Sequence, residues 1–373
     1  MKKSLLLLFA ALATLVVGCQ KEEIDGEQGQ QQQEQEQEQE KEQEVLKVEI
    51  DGIWYNLVSK AKQAEVTYKG DNPYTGWYSS SITIPASVTY NGVKYSVTSI
   101  GEGAFYTCSS LTAITIPEGV TSIESYAFRS CSSLTAITIP EGVTNIGRSA
   151  FLRCSNLKSI TIPESVTSIE EWAFSDCTSL TTITIHEGVT SIGEGAFQGC
   201  SSLTAITIPE GVTSIGDYAF SWCSSLTAIN IPESVTSIGD IAFAGCSSLT
   251  AINIPEGVTS IGFSTFSGCS NLTAIIIPEG VTSIGEYTFR GCSSLTVIVL
   301  PQSTRYVGSE AFAGCTKLLD VYCYAETVPG TWANTFNGSN LEYATLHVPA
   351  SALNTYKSTA PWSNFGKIVP LTD

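Results

Sequence analysis

Histidine is almost missing from this sequence: of 373 residues only His186 and His347 are histidines, and they lie far apart. That scarcity removes clustered His-and-carboxylate sets, and no glycine-rich phosphate loop or nucleophile motif stands in their place. No Cys-x-x-Cys pair occurs, which argues against a zinc site. Basic residues are few as well. The 18 Lys and Arg face 36 Asp and Glu, a formal net charge of −18 that would repel nucleic acid. The only long apolar run, Leu5 to Val17, is too short for a comfortable membrane span. These absences point away from an enzyme, a cofactor or a nucleic-acid partner. What the chain has instead is Thr, Ser, Ile and Gly, a composition that favours strands over helices.

The first residues read as an export signal. Lys2 and Lys3 precede the apolar run, which closes on Val16-Val17-Gly18-Cys19. That ending resembles the lipobox of bacterial lipoproteins, which implies a signal peptide over 1–18 and lipidation of Cys19; an ordinary signal peptide with an incidental cysteine is the alternative. Gln20-Lys21-Glu22-Glu23 resembles the short signal of surface-displayed lipoproteins of the Bacteroidetes group. It implies an outer-membrane lipid anchor with the protein facing the extracellular side, held by its acyl chains alone. Residues 19–44 continue as a Gln/Glu tract that cannot bury enough surface to fold and extends by self-repulsion. A disordered spacer is the plain reading, a helical stalk the other.

From Val97 the chain repeats. Cysteines stand at 108, 131, 154, 177, 200, 223, 246, 269, 292 and 315, every interval being 23, with a phenylalanine three residues before each. Leu-x-x-Ile-x-Ile-Pro or a close variant follows each cysteine, as in Leu111, Ile114, Ile116 and Pro117, and then Glu-Gly/Ser-Val-Thr-Ser-Ile; His186 replaces the proline once. Such a period with this spacing marks a leucine-rich-repeat solenoid. Alternation along Ile114-Thr115-Ile116 sends both isoleucines inward and the threonine out. Pro117 ends the strand, and Gly119 is expected to make the sharp corner. Val120, Ile123 and the Ala127-Phe128 pair turn inward again. One such unit cannot fold alone; stacked units bury each other's faces.

The motif Ile-Gly-x-x-Ala-Phe-x-x-Cys-Ser-x-Leu-x-x-Ile-x-Ile-Pro is similar to the BspA-like class of leucine-rich repeats over nearly all of the chain beyond residue 45. The resemblance implies a surface or secreted protein engaged in adhesion, with a host matrix or bacterial surface protein as partner. The fold expected is a β-rich solenoid with short convex-side helices or turns. It has about ten 23-residue repeats (97–321) between a β-hairpin N-terminal cap (45–96) and an α/β C-terminal cap (322–373). Hairpin signals stand at Asp51-Gly52 and Asn91-Gly92. In the last segment Leu346 to Pro349 reads as a final strand and Ala350 to Thr359 as a short helix. A monomer is expected.

Each repeat position becomes a stripe along a solenoid. The cysteine stripe could be redox-active, but a small group filling a tight inner position is the simpler reading. The glutamates at 118, 141, 164, 187, 210, 233, 256 and 279 are either solvated turn residues or a weak Ca²⁺ stripe. The outward strand position runs from Thr115 to Ile276 and Val299, growing more apolar. Variation concentrates beside the Ala-Phe pair, where Tyr126, Trp172, Tyr218, Trp222, Phe263 and Tyr287 stand with several arginines. Aromatic and Arg side chains are those enriched at binding hot spots, and aromatic faces also suit glycans. These six are the candidate binding residues; padding between coils is the competing reading.

Overall fold

The N-terminal segment starts two ladders at once. In the computed structural model, which describes residues 45–73 and 76–371, the strands are β1 (Val45–Ile50), β2 (Ile53–Val58), β3 (Gln63–Thr67), β4 (Ser80–Thr83), β5 (Ser87–Tyr90) and β6 (Val93–Ile100). The export signal, Cys19 and the Gln/Glu tract lie outside the described residues. Contacts divide the chain into a large unit, 46–57 with 62–373, and a small one, 1–45 with 58–61; the fold described here is that of the large unit. Asp51-Gly52 and Asn91-Gly92 both have positive φ at both residues (50° and 81°, 48° and 79°). That is the tight-turn geometry whose twist matches its flanking strands. The far half of β6 pairs in parallel with Ser122–Ile123 of the first full repeat. Separately, β4 pairs in parallel with β7 (Leu111–Thr115). The N-terminal edge of each ladder is thereby covered.

Each coil then has three sides. The Ile-Thr segment forms one parallel ladder, with Ile160 opposite Ile183 and Ile206 opposite Ile229. The Ser-Ile pair forms a second, with Ile169, Ile192, Ile215 and Ile238 in register. The third, convex side is a run of turns with no helix in it. There alternate amides reach the next coil, as when the N–H groups of Tyr126, Phe128 and Ser130 donate to Arg148, Ala150 and Leu152. Threonine hydroxyls add rails along the stack: Thr227, Thr250 and Thr273 each donate to the carbonyl one coil back at 3.3 Å.

The interior follows the alternation. Leu111, Ile114, Ile116, Val120, Ile123, Ala127, Phe128 and Cys131 are all buried, while Thr115 is exposed. Phenylalanines 105 to 312, with Phe336, stack face to face at 5.1–5.7 Å with interplanar angles of 3–13°. Tyr78 meets Phe105 at a 47° tilt, and Trp362 and Phe365 meet Phe336 edge-on at 70° and 82°. A ring turned across the stack closes it at either end.

Gly119 stands in the turn between the two ladders, where the Val120 N–H donates to the Pro117 carbonyl at 3.1 Å, but its φ is ordinary, and its column takes Ser165 and Ser234 in other coils, with hydroxyls donating to Val143 and Val212. The left-handed residues lie on the convex side instead. One expectation needs correction: Thr345–Val348 is not the final strand. After the helix α1 (Leu353–Ser358), Lys367–Pro370 adds one more in parallel, Leu346 opposite Ile368.

Candidate functional site: the convex stripe

Two columns on the convex side carry left-handed backbone in every coil. One holds Gly103, Tyr126, Ser149, Trp172, Gly195, Tyr218, Ile241, Ser264, Tyr287 and Glu310, with φ between 50° and 62°. Four residues on, the other holds Thr107, Ser130, Arg153, Asp176, Gly199 and Trp222, then glycine from Gly245 to Gly338. Alternating these conformations with right-handed ones lets successive amides point to the next coil. Glycine meets the requirement without strain; a bulky residue does not.

The six candidate residues fall into three neighbouring columns rather than one. Tyr126, Trp172, Tyr218 and Tyr287 share the first left-handed column and are half-buried; Trp222 stands in the second, and Phe263 in the column just before the first. Trp222 is 64% exposed and Phe263 41%.

Contacts bring them together in groups. Arg129 lies between Tyr106 and Tyr126, 5.5 and 5.6 Å from the ring centres. Trp172 and Tyr218, two coils apart, approach to 6.2 Å across Gly195. Phe263 meets Tyr287 edge-on at 5.5 Å, with Arg290 5.3 Å from the Tyr287 ring and 3.5 Å from Glu310. Arg148 and Arg153 pair with Glu171 and Asp176 at 3.0 and 3.3 Å.

The fixed columns have structural partners. Each thiol from Cys131 to Cys315 donates to the carbonyl of the phenylalanine 26 residues earlier, for example Cys200 to Phe174 at 3.2 Å. That carbonyl also accepts the N–H of the cysteine in its own coil, so both lone pairs are used. The described cysteines are all free and buried. Burial pushes Cys108 up to about 11 and Cys246 and Cys292 up to about 12, far from the thiolate needed for reactivity. Glutamates of the acidic column accept the next coil's amide: Glu141 from Glu164, Glu187 from Glu210, Glu233 from Glu256, at 3.2–3.4 Å. Among the described residues no group of three or more His, Cys, Asp or Glu could hold a metal ion, and no helix is long and apolar enough to cross a membrane.

A second exposed surface was only half visible in the sequence. Toward its C-terminal end the outward strand column runs through Ile276, Val299, Tyr322, His347 and Val369, in register. Tyr322 stacks on His347 at 4.3 Å, and His347 Nε2 lies 2.9 Å from Asp320 Oδ1. The interval from 322 to 347 is no longer 23, which hides the last members from a periodic reading.

Several solved structures are similar to this chain. A leucine-rich repeat protein from Bacteroides ovatus is 28% identical over 87% of this chain and all of its own, with a TM-score of 0.46. A leucine rich cell surface protein from Faecalibacterium prausnitzii is 30% identical, over 74% of this chain and 94% of its own, TM-score 0.38. The pneumococcal vaccine antigen PcpA is 15% identical, over 88% and 99%, TM-score 0.42. No curated protein matches the chain. Residues 98–227 and 213–342 match the BspA type leucine rich repeat region (6 copies), and the chain belongs to that family.

Proposed function

We propose that this protein is a lipid-anchored adhesin of the outer membrane, displayed outward and binding a host matrix or bacterial surface component through the convex stripe. One observation carries the reading: Trp222, 64% exposed, occupies a left-handed position that the coils on either side fill with glycine, Gly199 and Gly245. Local strain of that kind persists where the surrounding structure and a function both hold it. Lys2 to Cys19 supports the anchor, and the Gln/Glu tract would lift the repeats off the membrane.

Three measurements test this. Labelled fatty acid should enter the wild-type chain and not Cys19→Ala, and protease added to intact cells should degrade the repeats. Immobilised matrix proteins and whole cells should retain the full chain. Retention by none of them, nor by any glycan surface, would reduce the protein to a passive spacer.

A further inference from the structure

Burial does not explain Trp222 on the convex stripe. Trp172, Tyr218 and Trp222 have φ of 58°, 57° and 62°, while Gly195, Gly199 and Gly245 fill the same columns nearby. Trp222 is 64% exposed, so it fills no gap in the core. Each indole leans on a glycine of the next coil. A Cβ added to Gly195 would meet Trp172 Cε3 at 2.2 Å, and one added to Gly245 would meet Trp222 Cε3 at 2.7 Å.

Acceptors stand beside the rings. Asp217 and Asp240 occupy the column just before Tyr218 and are exposed. Asp217 Oδ1 accepts the Asp240 N–H at 2.8 Å, and Asp240 Oδ1 accepts the Phe263 N–H at 2.7 Å. One oxygen of each carboxylate is thereby fixed, and the other can take a hydroxyl proton.

We propose that Trp172, Tyr218 and Trp222 form a platform for a neutral polysaccharide, with Asp217 and Asp240 accepting from its hydroxyls. This rests on the binding role proposed for the same stripe and names its ligand class. A pyranose ring offers an apolar C–H face rimmed by hydroxyl donors, which complements flat aromatic surface beside fixed acceptors. Charge selects against anionic chains: Glu171 and Glu194 continue the acidic column, and the net charge is −18. The platform spans two coil spacings, about 10 Å at roughly 4.8 Å per coil, and Phe263 carries the aromatic row two spacings further, to about 19 Å. That length suits a polymer rather than a single sugar.

The test uses the full chain in native gels cast with a β-glucan, a galactomannan, an arabinoxylan or dextran, and on an array of neutral oligosaccharides. Heparin and polygalacturonate serve as the anionic arms. At least one neutral polymer should retard the protein, and Trp172→Ala and Trp222→Ala should each weaken that binding by about tenfold or more. Trp222→Gly separates recognition from packing. Glycine suits φ 62°, so the melting temperature should hold or rise while binding is lost. A padding residue would give the reverse: lower melting and unchanged binding. That reverse result, preference for the anionic polymers, or retardation by no neutral glycan would each overturn the proposal. Retention on matrix proteins without any on glycans would leave the adhesin reading standing and remove only the ligand class.

Discussion

The indole of Trp222 rests on Gly245, one coil further along the convex face. Gly245 has φ 75°, and a Cβ there would sit 2.7 Å from Cε3 and 2.9 Å from Cδ2 of the ring. Two penalties therefore meet at this glycine, backbone strain and a clash. Gly245→Ala should cost about 1–3 kcal/mol. In a Trp222→Ala background the clash disappears and only the strain remains. A double-mutant cycle on urea midpoints should show a coupling of about 0.5–3 kcal/mol, the range for residues in contact. Purely additive effects would mean that the ring does not lean on the glycine.

The thiol ladder offers a second handle. Cys200 donates to the Phe174 carbonyl, and both groups are fully buried. Cys200→Ala removes a donor and leaves a small void, at a cost of about 1–3 kcal/mol. Alkylating reagent should leave the ladder unmodified in the native protein and modify it fully in denaturant. Rapid labelling without unfolding would place these thiols at the surface.

Alkali should unfold this protein steeply, and the cysteines set the direction. Their folded pKa is raised, by burial first, to about 12 at Cys246 and Cys292 from an ordinary 9.0. Above pH 9 the unfolded chain gives up thiol protons that the folded one keeps. Stability is therefore fully present below pH 9 and is lost as pH rises toward 12. Each thiol ionised only in the unfolded state removes about 1.4 kcal/mol per pH unit. A circular dichroism titration should show the transition, and Cys200→Ala with Cys223→Ala should make it shallower. An alkaline slope independent of the number of cysteines would contradict the assignment.

Much of this was legible because the repeat does the counting. Period 23 fixed which residues face inward, and two dipeptides, Asp51-Gly52 and Asn91-Gly92, announced their turns. The turn at Gly119 was legible, though its ordinary φ admits glycine and serine alike. The left-handed columns had a fainter signal: glycine recurs at Gly195, and from Gly245 to Gly338, among aromatic and polar residues of the same columns. The role of the glutamates was hidden too, because their partner is a backbone amide one coil away. Lys367–Pro370 escaped notice because it is short and ends in proline, which strands tolerate only at an edge. The candidate residues were visible as variation, but their separation into three columns and their resting on glycines needed coordinates.

Trp362 closes the C-terminal end of the phenylalanine stack. It is fully buried, stands edge-on to Phe336 at 5.4 Å and to Tyr356 at 5.7 Å, and its Nε1–H donates to the Pro329 carbonyl at 3.1 Å. Trp362→Ala would open a void beside the last ring and leave that carbonyl short of a donor, at about 3–5 kcal/mol. In a stack of nearest-neighbour units the damage should stay local at first. Hydrogen exchange should therefore rise in residues 320–370 well before it rises around Phe151 or Phe174. Uniform acceleration along the whole ladder would instead mean that the coils open as one unit, and that Trp362 supports all of them equally.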